Sequence, residues 1–324
     1  MNKPLVSVVV ITYNHEPYIK ECLDGIISQK TNFPIEILVN DDCSTDNTAI
    51  IIKEYENKYP TIFRCLYQTE NLYSKGIHPW FDILFPIARG KYIALCEGDD
   101  YWIDTYKLQK QVDFLETHKE YGFIGATCLI RQENTISKEK NIYLNNPHKI
   151  EHKYELYENV FKNFAIYGPP TRTVSLLFLR DLLNDEKPIG DYTLQAVLAY
   201  KSKFAMLNEE CCIYRRHSTG VSNAQDDKSR IAYTKWFIDQ KKFLNQRFPN
   251  ECNFNHDELN DILYYLKLTI AIRDFKYKEA FKFKNSIKSI KYRNKFFYKY
   301  LNAISFTILH LLIKLKGNVA KNGW

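Results

Sequence analysis

Residues 5–12, Leu-Val-Ser-Val-Val-Val-Ile-Thr, form a short apolar run rich in β-branched side chains. A run of this length and composition reads as a strand covered on both faces, which an isolated hairpin or helical bundle cannot provide. The turn Tyr13-Asn14-His15-Glu16 follows, and Pro17 suits the first turn of a helix. Ile19, Cys22, Leu23, Ile26 and Ile27 then recur at helical spacing on one face. The alternation repeats. A second strand is expected at 35–39 and a helix to about Lys58, capped by Ser44 or Thr45. A third strand fits 62–67, a helix 77–88 and a fourth strand 91–96. Short connections between alternating strands and helices imply βαβ units and a mainly parallel sheet. Asp104 is expected to cap a helix bearing Leu108, Val112 and Leu115. Further strands are expected near 122–130 and 173–179, a polar loop at 131–150, and a helix from Tyr192 to Tyr200 after Gly190-Asp191. From about Asp226 the pattern is helical throughout.

Parallel sheets of this kind bind ligands beyond the carboxyl ends of their strands. The polar clusters stand at those ends: Tyr13-Asn14-His15, then Asp41-Asp42, then Glu97-Gly98-Asp99-Asp100. Three carboxylates within four residues repel one another unless a cation lies among them. Hard divalent ions, Mg²⁺ or Mn²⁺, suit such oxygens and share them with substrate phosphates. The competing reading is a solvated acidic turn. For Asp42 and Asp191 the competing reading is a helix N-cap, and for His15 and His217 a polar loop residue. Trp80, Tyr101 and Trp102 are read either as core or as a stacking surface for a substrate ring.

The chain has 324 residues and 45% hydrophobic composition, enough for one large domain or two smaller ones. Its eight cysteines form no CxxC pair and read as reduced thiols. No stretch of about 18 apolar residues occurs, and the N-terminus lacks the layout of a secretory signal. The net charge of +7 is uneven. Residues 276–324 carry 12 Lys plus Arg against one Glu, so the preceding body is net acidic. Within that tail, 281–300 interleaves basic and aromatic residues, and 300–313 has no charge. Leu301, Ile304, Ile308, Leu311, Leu312 and Leu315 lie at helical spacing. This pattern fits an amphipathic helix on an anionic membrane surface better than a nucleic-acid site. Packing on its own domain, or on a second copy as a homodimer, is the alternative.

Taken together, VSVVVITYNHEPYI, VNDDCSTDNT, GKYIALCEGDDYW and KLQKQVDFLE resemble the nucleotide-binding half of family 2 glycosyltransferases. The closest resemblance is to bacterial enzymes that build surface polysaccharides. It is close over 5–120, weaker through 168–222 and absent beyond 226. It implies an α/β GT-A fold over 1–225, with a nucleotide-sugar half (1–120), an acceptor and catalytic half (121–225), and a helical basic region at 226–324. It implies an inverting, metal-dependent hexosyl- or N-acetylhexosaminyltransferase. The donor would be a UDP-sugar and the acceptor a lipid-linked saccharide, with the enzyme at the cytoplasmic face of the membrane. By position, Thr12, Tyr13, His15, Asp42 and Glu97 fall on nucleotide-sugar contacts. Asp99, with Asp100, falls on the metal position, Asp191 on the catalytic base, and His217, with Arg215 or Arg216, on a late segment near the diphosphate. Glu97 stands where Asp is commoner, and Gly190 where the family often has Glu. Two other readings are a silent nucleotide-sugar- or membrane-binding module and a nucleotidyltransferase. The latter normally wants a Gly-rich phosphate loop after the first strand, which Ile11–His15 lacks.

Overall fold

The computed structural model describes residues 3–138, 147, 149–167, 171–218, 220, 226–252, 254–274 and 276–288. The apolar segment 300–313 and most of its basic flank lie outside these residues. The chain divides into two compact units, Met1–Gly220 and Val221–Trp324.

The first unit begins β1 (Val6–Thr12), α1 (Ile19–Ile27), β2 (Ile35–Asp41), α2 (Thr48–Lys58) and β3 (Phe63–Tyr67). A short helix α3 (Phe85–Ile87) leads to β4 (Tyr92–Glu97), β5 (Tyr101–Trp102) and α4 (Lys107–Thr117). Then come β6 (Tyr121–Gln132), β7 (Thr135–Lys138), β8 (Lys149–Glu151), β9 (Tyr154–Tyr157), α5 (Phe161–Tyr167), β10 (Leu177–Leu179), α6 (Asp191–Lys201) and β11 (Lys203–Arg216). The sheet runs β3-β2-β1-β4-β10-β6-β11-β9-β8. Along this path only β10 and β9 run against the others.

The apolar run of β1 is buried because β2 and β4 flank it and α1 covers it. Val6, Val8 and Val10 share one core cluster with Ile19, Cys22, Leu23 and Ile26. Burying each such side chain contributes on the order of 1.5–3 kcal/mol. Gly25 lets α1 press on β5, since a Cβ there would stand 2.7 Å from the Trp102 carbonyl oxygen.

Several local expectations are corrected. The expected helix 77–88 is a wide, π-type turn at Pro79–Leu84 followed by only three α-helical residues. Pro79 and Pro86 remove the donors that a regular helix needs. The N-cap position of α2 is Asn47 rather than Ser44 or Thr45, and Asp46 just before it accepts the Thr48 N–H through Oδ1 at 3.0 Å. Asp104 acts just before α4, accepting the Tyr106 N–H at 2.9 Å. The segment expected as a loop contains β7, which folds back on β6 through a turn with Glu133 at φ 52. All eight cysteines are free thiols, and Cys22 and Cys96 lie with their sulfurs 3.6 Å apart in the core.

The second unit holds α7 (Asp227–Arg247), α8 (His256–Arg273) and α9 (Tyr277–Ser286). Leu268, Ala271, Ala280 and Ile287 form a small core, and buried Asp261 accepts the Lys288 N–H at 2.9 Å. Helix α9 exposes Lys278, Lys282 and Lys284. No helix among the described residues is long and apolar enough to cross a membrane.

Candidate active site

The ends of β1, β4 and β11 open on one edge of the sheet, and each carries polar side chains. After β1, Asn14 adopts a left-handed φ of 54, which Asn tolerates. The turn is laced to the segment after β2. Asn14 N–H donates to Ser44 Oγ (2.9 Å), His15 N–H to Thr48 Oγ1 (2.8 Å) and Glu16 N–H to Asp46 (3.0 Å). The VNDDCSTDNT segment therefore acts largely as a scaffold for His15, while the Tyr13 ring remains 44% exposed.

Asp42 is buried and both its oxygens are engaged. They accept the backbone N–H groups of Leu72 (2.9 Å) and Tyr73 (3.1 Å). It holds the chain after β3 rather than standing open toward a ligand.

After β4 the chain turns sharply. A Cβ on Gly98 would stand 2.8 Å from Thr12 Oγ1 and 2.9 Å from His15 Nδ1, so only glycine permits this approach. Three buried polar atoms around it have no protein partner: Thr12 Oγ1, His15 Nδ1 and Glu97 Oε2. Unsatisfied buried groups cost about 1–3 kcal/mol each, so their clustering marks a place built for a polar ligand.

Asp99 meets His217 Nε2 at 3.0 Å and His15 Nε2 at 3.8 Å through the same oxygen. Desolvation works against its charge, but the bond to His217 and the nearby imidazoles hold its carboxyl below the usual range. Burial lowers the pKa of His15 in turn. Asp100 is placed differently from the expectation. It is 1% exposed, turned inward, and its Oδ1 accepts the Arg215 N–H at 2.8 Å. Burial and the charges of Asp99 and Glu97 push its pKa well up.

The Thr173 hydroxyl donates to Glu97 Oε1. Burial raises the pKa of Glu97 to about 8, with the charges of Asp99 and Asp191 adding to the shift. Asp191 opens α6 and faces this cluster. Burial raises its pKa, while its bond to the Tyr192 N–H and the positive charge of Arg172 oppose the rise. Arg172 itself lies over the Tyr214 ring, 4.5 Å from its centroid.

The late basic pair divides by strand alternation. Arg215 faces the site. It donates to the Asp99 carbonyl at 2.7 Å, pairs with Glu21, and packs 4.4 Å from the Tyr101 ring centroid and 5.2 Å from that of Tyr18. Arg216, the next residue and the last of β11, is less buried than Arg215. The His217 ring lies against Tyr18, 4.7 Å between centroids. Trp80 and Trp102 are core residues, and the Trp102 indole donates to the Val174 carbonyl at 2.7 Å. Sequence reasoning missed Thr173, Arg172 and Tyr18. Thr173 and Arg172 reach the site through pairing and packing and carry no motif of their own, while Tyr18 lies inside the first motif and was passed over there.

A mixed sheet with acidic residues at its strand ends and helices on both faces is the GT-A arrangement. The profile of glycosyl transferase family 2 matches residues 7–170, about half of the chain, and the chain belongs to that family. An uncharacterized protein of Mycobacterium tuberculosis is 35% identical over 246 residues, covering 75% of this chain and 64% of that protein. The chain thus spans somewhat under two thirds of that relative's length. The UDP-Glc:alpha-D-GlcNAc-diphosphoundecaprenol beta-1,3-glucosyltransferase WfaP of Escherichia coli is 36% identical over 117 residues, 36% of this chain and 43% of that one. S. aureus TarS 1–349 in complex with UDP-GlcNAc shares the fold at TM-score 0.54 and 17% identity, covering 87% of this chain and 81% of that one. The mannosyltransferase PcManGT of Pyrobaculum calidifontis, in complex with GDP-Man and Mn²⁺, matches at TM-score 0.52 and 18% identity, covering 94% and 81%.

Proposed function

We propose that this protein transfers a sugar from a UDP-sugar to a hydroxyl of a lipid-linked saccharide during surface polysaccharide assembly, inverting the anomeric centre. The observation that carries the reading is the convergence of Asp99, Glu97 and Asp191 on one sheet edge, around three unpartnered buried polar atoms. The family membership and the E. coli relative's printed activity support the donor and acceptor classes.

In this reading Tyr13 and His15 flank the nucleoside, and Thr12 Oγ1 and Glu97 Oε2 take hydroxyls of the donor. Asp42 acts through the chain it clamps. Asp191 accepts the proton of the attacking hydroxyl as the new C–O bond forms and the bond to the diphosphate breaks. His217 lies where the departing diphosphate gains charge. Arg215 is a positioning residue that fixes the backbone of Asp99.

A group of three or more His, Cys, Asp or Glu able to enclose a metal is absent among the described residues. Asp99 nonetheless fits a Mg²⁺ or Mn²⁺ ion that takes most of its ligands from phosphate and water. Such an ion, once bound, would offset negative charge on the leaving diphosphate. Asp100, turned inward, is not assigned to it. The exposed lysines of α9 and the basic tail support placement at an anionic membrane surface.

A thermal-shift panel of UDP, GDP, CMP and their sugar conjugates, each with and without Mn²⁺, tests the donor assignment. A metal-dependent shift confined to UDP compounds is expected, about 2.7 kcal/mol at a hundredfold excess over Kd. No shift with any nucleotide would overturn it.

A further inference from the structure

The chain between β3 and β4 is tied down at two points. The Asp42 carboxylate accepts the N–H groups of Leu72 and Tyr73. The turn then closes through Ile77 N–H to the Leu72 carbonyl at 3.1 Å, with Gly76 at φ 83. The backbone from which Tyr73 projects is therefore fixed. Its ring stands edge-on to His78, 5.8 Å between centroids, yet the residue is 50% exposed.

The second tie is Asp82. One oxygen accepts the His78 N–H at 2.7 Å, and the other meets Lys187 Nζ at 2.5 Å. Lys187 lies just ahead of Asp191 in the chain. Phe81 and Phe85 from one segment, and Leu183 and Asn184 from the other, line a common cavity of about 320 Å³. The stretch that carries Tyr73 and the stretch that leads into α6 are thus packed together. The Tyr73 phenol is partly desolvated and feels the charge of Asp191, and both effects raise its pKa.

We propose that Tyr73 is an acceptor-binding residue, a half-exposed aromatic platform fixed by the Asp42 clamp on the stretch that the Asp82–Lys187 pair ties to the segment leading into Asp191. The inference rests on Asp191 being the base. A base must come within hydrogen-bond reach of the hydroxyl it deprotonates, so an exposed ring on the stretch packed against the approach to Asp191 is placed to border the acceptor. A pyranose ring presents an apolar C–H face to an aromatic ring and hydroxyls at its edge, and tyrosine offers both a face and a polar tip. The tryptophans that the sequence offered for this role are buried, whereas Tyr73 is open.

The test uses the full chain, UDP-glucose or UDP-GlcNAc as donor, and an α-GlcNAc-diphosphate on a short alkyl chain as acceptor. Tyr73→Ala is expected to raise the acceptor KM about tenfold or more with the donor KM within about twofold, and Tyr73→Phe to recover most of the loss. A rise in donor KM instead, or an unchanged acceptor KM, overturns the proposal. Asp191→Asn separates the two levels: full turnover in that variant refutes the base assignment, whatever Tyr73 does. Where neither donor is turned over, tetranitromethane labelling read by mass spectrometry decides. Protection of Tyr73 by the acceptor probe and not by the UDP-sugar supports the role, and equal labelling with and without the probe overturns it.

Discussion

The two halves of the large sheet reach the same edge by different routes. In the β3-β2-β1-β4 half, strands of five to seven residues alternate with helices. Each polar cluster follows its strand directly. In the β6–β11 half, two strands of 12 and 14 residues pair in parallel across the intervening β7–β10 and α6. There the site residues Thr173, Asp191, Arg215 and His217 come together only through tertiary pairing. The first half builds its part of the site from local turns, while the second depends on the whole sheet closing.

If that division is functional, the largest effects should separate by half. Asp99→Ala is expected to abolish any metal-dependent stabilisation by UDP-sugar and to lower kcat/KM about a thousandfold. Asp191→Asn is expected to lower kcat by about 10²–10⁴ while the donor's thermal shift survives. Loss of donor binding in Asp191→Asn would break the comparison.

Arg215 spans the two halves, so its removal measures their coupling. Arg215→Met is expected to cost about 1–3 kcal/mol in urea unfolding, because the Asp99 carbonyl loses its donor. Arg216→Met should stay within about 0.5 kcal/mol. Equal costs would mean that strand alternation at 215–216 has been misread.

Glu97 gives a smaller effect with a defined pH dependence. Its folded pKa of about 8 exceeds the ordinary 4.5, so the native state keeps a proton that the unfolded chain has lost. Stability therefore falls as pH rises from about 4.5 to about 8, and Glu97→Gln should remove that slope. A Tm gain of about 3 °C at pH 8.5 that vanishes near pH 5 is expected by calorimetry. His78 works in the opposite direction. Burial lowers its pKa to about 4 from 6.5, and its Nδ1 accepts the Trp80 N–H. Stability should fall as pH drops from about 6.5 to about 4, and His78→Gln should flatten that acid limb by about 1 °C.

The same division explains what was legible in the sequence. β1, α1, β2 and β4 declare themselves because a buried strand and an amphipathic helix have distinct periods. Asp99 stood out as part of a motif at a strand end. β11 did not, since Asn208-Glu209-Glu210 interrupts its apolar pattern where the ladder carries a register shift. The choice between Arg215 and Arg216 stayed open because it turns on strand parity, which cannot be read before the strand is recognised. Asp100 and Asp42 look like ligands in sequence, but one oxygen of Asp100 and both of Asp42 accept backbone N–H groups from segments far along the chain.

Strand β10 has three residues, yet it is the seam of the sheet. Leu177 pairs with both Ala94 and Ile124, and Phe178 with both Ile93 and Phe123. About 80 residues separate β4 from this partner. At a synthesis rate of about 5–20 residues per second, the edge of β4 stays open on the nascent chain for about 4–16 s. An apolar strand with a free edge is a template for wrong pairing. The price of a site shared between two halves is thus a delay during translation, in which the completed first half must wait for three residues to seal it.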